Sequence, residues 1–252
     1  MKIVVTGGAG DVGSKVVEIL ERQGHQVTAA SRRTGVDVIT GEGLEQALVS
    51  AEVVIDAVNS PTFDDATAMR FFETSSRNIL AAAGAAGAGH YVALSIVGSE
   101  RLPTSGYFRA KLLQEALIKA SSVPFTILRS TQFFEFLDAV VAAADDGEEI
   151  RLPPARVQFI AAQDAAAALA DIADRAPLND TVEIAGPDPF RLDELARRYL
   201  AARADARRVT ADPQALYFGA ALTDETLIAG AVPRFGHTEF DSWLRGQLTS
   251  GR

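Results

Sequence analysis

The stretch "KIVVTGGAGDVG", residues 2–13, decides the fold. Ile3, Val4 and Val5 form a short apolar run of the kind that makes a buried strand. Glycines follow at once, and Gly7, Gly10 and Gly13 make the pattern G-x-x-G-x-x-G. From Asp11 to Gln23 the apolar spacing becomes helical, with Val12, Val16, Ile19 and Leu20 on one side. Strand, glycine turn and helix in this order form a cradle for a pyrophosphate. Gly7 permits the tight turn, Gly10 lets the backbone approach the ligand, and Gly13 allows close helix–strand contact. The first helical turn, from Asp11 and Val12, would meet the phosphates with free N–H groups and the positive end of the helix dipole. A purely structural turn is the plainer alternative. The position directly after the first strand favours the dinucleotide site.

Working outward, short apolar runs alternate with helical patterns through the first half. "HQVTAAS", "EVVIDAV", "HYVALSIVG" and "PFTILRS" read as further strands. Helices are expected over 43–49, 64–86 and 107–119, and the stretch around "VDVIT" is left irregular. Such alternation implies right-handed crossovers and a parallel sheet covered on both faces. In the second half, "FFEFLDAVVAAAD", "QDAAAALADIAD", "RLDELARRYLAARA" and "TEFDSWLRGQL" read as helices, and "TVEIAG" as a strand. Prolines interrupt short strands in "EIRLPPARVQFIAA". The expected fold class is α/β: a Rossmann-like, doubly wound parallel sheet with a small C-terminal substrate lobe. Residues 1–129 form the dinucleotide-binding core and 130–252 the lobe of the same single domain, with the boundary near Arg129.

The bulk numbers exclude several classes. With 252 residues and 48% hydrophobic content, the chain can bury one sizeable core. Its formal net charge of -9 argues against nonspecific nucleic-acid binding, which needs clustered Lys and Arg, and against an anionic membrane surface. There is no cysteine, so disulfides and thiolate chemistry are out. The three histidines, His25, His90 and His237, show no metal-ligand spacing, and no metal is expected. The apolar run before the first glycine is too short for a signal peptide or a spanning helix. The expectation is a soluble, cytoplasmic monomer or homodimer that takes a small-molecule substrate.

The end of the second strand bears on which dinucleotide binds. NAD binders usually carry an acid there, bonded to the ribose hydroxyls. Here Ser31 stands in that place, followed by Arg32 and Arg33. Serine and guanidinium groups suit a 2′-phosphate, which a carboxylate would repel. This favours NADP(H), against the plainer reading of a solvated charged loop. Ala57, Val58 and Asn59 end the next strand, at the carboxyl edge where ligands bind. Asn59 is equally readable as a turn residue.

In "GYFRAKLLQEAL", Tyr107 precedes Lys111 by four residues. Both would lie on one helix face, where an ammonium favours the phenolate. Spacing alone leaves an accidental surface pair open. Taken together, "TGGAGDVG", "ASRR", "VALSIVG" and "YFRAK" resemble the short-chain dehydrogenase/reductase superfamily. The glycine form and "TILRSTQFFEF" resemble its atypical, NmrA-like NAD(P)H-binding branch. The resemblance implies that Tyr107 exchanges the substrate proton, that Lys111 binds the nicotinamide ribose and tunes Tyr107, and that Ser95 orients the carbonyl. It also implies that Thr131 and Phe133 pass the nicotinamide. Arg129 would lie beside it or form a structural ion pair.

Phe133, Phe134 and Phe136 either roof a substrate pocket or belong to the core, with Phe159, Tyr217 and Phe218 as further candidates. Asn78 is given no catalytic role. The expected function is an NADPH-dependent oxidoreductase passing hydride to a small carbonyl, quinone or related electrophile. The alternative is a non-catalytic NADP(H)-sensing regulatory or interaction protein of the NmrA-like type. A sugar-nucleotide epimerase is weaker, because it usually holds NAD through an acid on the second strand.

Overall fold

The protein is described by a computed structural model covering residues 1–250. The first half alternates as expected: β1 (Lys2–Thr6), α1 (Asp11–Arg22), β2 (Gln26–Ala30), α2 (Leu44–Leu48), β3 (Val53–Asp56), α3 (Asp65–Ala85), β4 (His90–Ile96), α4 (Gly106–Ala120) and β5 (Phe125–Ser130). The later chain adds α5 (Leu137–Ala143), β6 (Ile150–Leu152), β7 (Arg156–Val157), α6 (Ala162–Ala173), β8 (Asp180–Ala185), β9 (Phe190–Arg191), α7 (Leu192–Ala202), β10 (Val209–Ala211), β11 (Arg234–Phe235) and α8 (Phe240–Ser250).

Seven strands form one sheet in the order β11-β8-β5-β4-β3-β1-β2. Every pairing in it is parallel. Ile3, Val4 and Val5 are fully buried, because helices cover both faces of a central parallel strand. On one face, Val12, Val16 and Leu20 of α1 and Ala166 and Leu169 of α6 pack over Ile3, Val5 and Leu128. On the other, Leu44 and Leu48 of α2, Ile79 and Ala83 of α3, and Ile118 of α4 pack over Val4, Val54 and Ile127. A third cluster joins Phe72 and Phe108 to Leu137, Leu195, Tyr199, Phe240 and Trp243 of the later chain.

β1 pairs with β2 on one side and β3 on the other. The chain therefore reverses its direction of winding between β1 and β3. The crevice this opens at the carboxyl ends of the strands is where such sheets bind ligands.

Three details differ from, or refine, the sequence expectation. The boundary expected near Arg129 falls inside β5, and β8 and β11 extend the same sheet. The helix expected from Phe133 begins only at Leu137, after a tight turn over Phe134–Phe136. Phe133 pairs with Ile160 instead, and the Phe134 N–H donates to the Ile160 carbonyl. Among the described residues, no helix is long and apolar enough to cross a membrane.

Candidate functional site

A cavity of about 660 Å³ opens at the carboxyl ends of β1 to β5. Its wall is built from the glycine loop, the end of β2, the β3–α3 loop, β4, α4 and the segment after β5. Gly7, Gly10, Asp11, Val12, Ser31 and Arg32 line it at one end. Ala57, Val58, Asn59, Ser95, Tyr107 and Lys111 line the middle, and Thr131 and Phe133 close the far wall. Of the cofactor-binding residues expected from sequence, Gly13 and Arg33 are not on the wall.

The glycines are fixed by contact. Gly7 has φ +73°, in the left-handed region, and an added Cβ would lie 2.6 Å from the Ala57 carbonyl oxygen. At Gly13 an added Cβ would lie 2.2 Å from the Gly7 oxygen, so the close approach is of α1 to the turn itself. Gly10 caps α1 without any side-chain hydrogen bond. The first-turn N–H groups of α1 thus keep no side-chain partner of their own and suit an anion.

At the end of β2 the Ser31 N–H donates to Thr34 Oγ1 at 2.9 Å, holding a tight turn over Arg32–Thr34. Arg32 and Arg33 are exposed, and neither has an acidic partner among the described residues. Asp37, which the sequence reading passed over, lines the same end. Its carboxylate accepts from the Ile39 N–H at 2.7 Å and the Thr40 N–H at 3.3 Å.

Tyr107 sits one residue into α4. The Gly106 N–H donates to Asp65 Oδ1 at 2.9 Å, and an added Cβ at Gly106 would lie 2.1 Å from Asp65 Cγ. This locks the start of α4 against the start of α3. The Tyr107 hydroxyl donates to Asn59 Oδ1 at 2.7 Å. Burial pushes its pKa up, only partly offset by the Asn59 hydrogen bond, so the phenol holds its proton.

Lys111 is 3% exposed. Its ammonium donates to the Leu94 carbonyl at 2.8 Å and to Gln114 Oε1, and lies 4.6 Å from the centre of the Phe72 ring. Burial lowers its pKa to about 8, against the opposing pull of Asp56 and Glu115. Gln114 continues the network by donating to Asp56 Oδ2 at 2.9 Å. The Tyr91 hydroxyl reaches the same oxygen at 2.7 Å, and the Val58 N–H reaches Oδ1 at 3.2 Å. Thr6 completes the set at 3.3 Å.

The hydrogen bonds of Lys111 go to Leu94 and Gln114, and Asn59 is the partner of Tyr107. The Ser95 hydroxyl donates to Glu115 Oε1 at 2.6 Å. Glu115 also takes Arg129 Nε and Nη2 at 2.8 Å each, and Arg129 Nη1 reaches Glu100 at 2.9 Å. Burial pushes Glu115 up, but the Arg129 and Ser95 hydrogen bonds outweigh it and hold the carboxyl below its ordinary value. Arg129 is thus an ion-pair residue. Ser105, at the N-cap of α4, lines the cavity and was not singled out in sequence.

The aromatic candidates divide. Phe134 and Phe159 are core residues, 1% and 0% exposed. Phe133, Phe136, Tyr217 and Phe218 line the cavity, as do Phe63 and Phe71, which no motif or periodicity marks.

A family model described as NAD(P)H-binding matches residues 7–176. Among curated proteins, the chain is 28% identical over 151 residues to the photosystem II assembly factor Ycf39 of Cyanophora paradoxa, covering 54% of this chain and 47% of that protein. It is 28% identical over 220 residues to a chloroplastic divinyl chlorophyllide a 8-vinyl-reductase of Oryza sativa subsp. indica, covering 73% of this chain and 54% of that one. The chain thus spans about half the length of the curated relatives it matches. A short-chain dehydrogenase/reductase superfamily protein of Agrobacterium tumefaciens, solved with bound NAD, superposes with a TM-score of 0.71 at 21% identity, covering 100% of this chain and 97% of that one.

Proposed function

The chain belongs to the NAD(P)H-binding family, an atypical member of the short-chain dehydrogenase/reductase superfamily with an oxidoreductase-type fold, and on that premise we propose that it is an NADPH-dependent reductase of a small carbonyl, quinone or related electrophile. One observation carries the reading: Tyr107, a phenol that burial keeps protonated, stands on the wall of the cofactor cavity. The cavity residues fit a dinucleotide phosphate. The glycine turn has no space for a Cβ at Gly7 or Gly13, the α1 terminus is open, and Arg32 and Arg33 have no acidic partner among the described residues. Ser31 and Arg32 on the wall suit a 2′-phosphate, with Arg33 next to them in the chain and the Asp37 carboxylate engaged by the Ile39 and Thr40 N–H groups, which is the support for NADP(H) over NAD(H).

A nicotinamide held in this cavity would supply the hydride. Tyr107 gives its proton to the oxygen of the reduced group and regains one from solvent. Lys111, close beneath on α4, places positive charge at the ribose side of the wall and favours the phenolate left behind. Ser95 and Glu115 hold α4 on the sheet and so fix the position of Tyr107. Ser95 orients substrate once its hydroxyl turns from Glu115.

The Asn59 hydrogen bond supports a second reading. With the Tyr107 proton held by Asn59, the site also suits a protein that binds NADP(H) and turns nothing over, and a relative named as an assembly factor belongs with that reading. The test is a panel of ketones, aldehydes, quinones and vinyl-bearing compounds with NADPH oxidation as the readout. The reductase reading expects turnover that Tyr107→Phe lowers by about 10²–10⁴-fold with NADPH affinity kept. Tight NADPH binding with no turnover across the panel would move the assignment to the sensor.

A further inference from the structure

Above Tyr107 the cavity changes character. Phe63 of the β3–α3 loop lies 4.9 Å from the Tyr107 ring, 5.4 Å from Phe136 and 5.2 Å from Phe218, centre to centre. Phe136 and Phe218 are themselves 5.4 Å apart, so three rings from three separate segments meet, with Phe63 packed against the Tyr107 ring. Phe63 is 39% exposed despite these contacts, on a loop at the mouth of the site. Phe218 has φ +45°, a left-handed backbone that a bulky side chain rarely adopts. Strain of this kind persists where the surroundings fix it, and it gathers at ligand-binding walls.

The charges on the cavity wall are elsewhere or already engaged. Asp11, Arg32 and Asp37 belong to the glycine loop and the segment after β2. Lys111 is buried against Leu94 and Gln114. Glu135 accepts from the Ala162 N–H and from Trp243 Nε1, both at 3.0 Å. The aromatic end therefore offers no free cation to a phosphate or carboxylate. It does offer a neutral donor: Gln132 Oε1 accepts from the Tyr217 hydroxyl at 3.0 Å, which leaves the Gln132 amide Nε2 without a protein partner among the described residues.

We infer that this end of the cavity takes an uncharged, planar ring compound bearing a carbonyl, covered by Phe63, Phe136 and Phe218, with Gln132 donating to one of its oxygens. The inference rests on the reading of the cavity as a reductase site and narrows its substrate class. Offset or edge-on ring contacts supply the affinity. The half-buried Gln132 amide supplies the orientation, and it favours a carbonyl over a hydrocarbon of the same shape. A nucleotide sugar, the substrate type of the epimerase alternative, would bring two phosphates into a wall with no cation to meet them.

The test uses 1,4-naphthoquinone, naphthalene and UDP-glucose as probes. Each is titrated into the protein with and without NADP+, which cannot reduce the quinone. The expected result is that naphthoquinone binds, UDP-glucose does not, and Phe63→Ala weakens naphthoquinone by about tenfold or more. Gln132→Ala should weaken naphthoquinone by about fivefold, the equivalent of one neutral hydrogen bond, and leave naphthalene unchanged. Tyr217→Phe is the control for disturbance of the wall, because it removes the Tyr217–Gln132 bond but keeps the amide donor, and it should leave naphthoquinone binding intact. UDP-glucose binding at the site, or naphthoquinone affinity unmoved by both Phe63→Ala and Gln132→Ala, would overturn the inference. The two proposals fail separately. NADP+ binding without naphthoquinone binding removes the ring site alone, whereas naphthoquinone binding without NADP+ binding removes the cofactor reading and leaves the ring site standing.

Discussion

Lys111→Met should remove a pH dependence that only a buried ammonium creates. Lys111 is 3% exposed, and its pKa in the folded protein is about 8 against an ordinary 10.5. Burial is the cause, opposed by the Asp56 and Glu115 charges. Between those two values the unfolded chain carries a proton that the folded chain has released. Stability therefore rises with pH across that window, and below it the protein carries the full cost of the buried charge. The gap is about 2.5, and at about 1.4 kcal/mol for each pH unit the rise is about 3 kcal/mol.

Methionine has a similar length, suits the apolar contact with Phe72 and cannot titrate. Urea unfolding of both proteins from pH 7.5 to 10.5 gives the stability difference, in which the titrations of other groups largely cancel. Wild type minus Lys111→Met should climb by about 3 kcal/mol over that range. A flat difference would show that Lys111 is not a buried ammonium, and a falling one would show a folded pKa raised by its partners.

Two further outcomes follow from particular contacts. An added Cβ at Gly10 meets only the Gly7 oxygen, at 3.3 Å, whereas at Gly13 it would lie 2.2 Å from that oxygen. Gly10→Val should therefore cost about 1 kcal/mol of stability, measured by urea unfolding, and abolish NADPH binding, while Gly13→Val should cost about 3 kcal/mol or fail to fold. His90 is buried, with Nε2 2.9 Å from Thr126 Oγ1, and burial lowers its pKa below 6.5 against an opposing backbone contact at Arg175. Stability should fall as pH drops from 6.5 toward the lowered value and level off below it, and His90→Gln should reduce that loss in a thermal-melt series.

The parts of this molecule that sequence shows well are those fixed by neighbours along the chain. The turn between β1 and α1 is dictated by Gly7, Gly10 and Gly13, and its surroundings follow from apolar periodicity. Tyr107 and Lys111 share one face of α4 and reach one cavity wall, as their spacing implies. What escaped the sequence depends on distant segments meeting. Asn59 reads equally as a cofactor-edge or a turn residue, and its bond to Tyr107, 48 positions later, appears only once α4 is packed beside it. Phe134 and Phe136 look alike in sequence, but the pairing of Phe133 with Ile160 turns the first into the core and the second into the cavity. Phe63 had no periodic pattern to mark it, because it lies on a loop. The protein partners of Ser95 and Lys111 also depend on side-chain reach rather than on spacing. On α4, the Glu115 carboxylate takes the Ser95 hydroxyl and the Gln114 amide oxygen takes the Lys111 ammonium.

The central claim is that this cavity holds NADP(H) in preference to NAD(H). Calorimetric titration of NADPH and NADH into the same protein tests it most directly. Ser31 and Arg32 should make NADPH the tighter ligand by about 10- to 100-fold, the equivalent of one charge-assisted hydrogen bond or slightly more. Equal affinities, or tighter binding of NADH, would contradict the account.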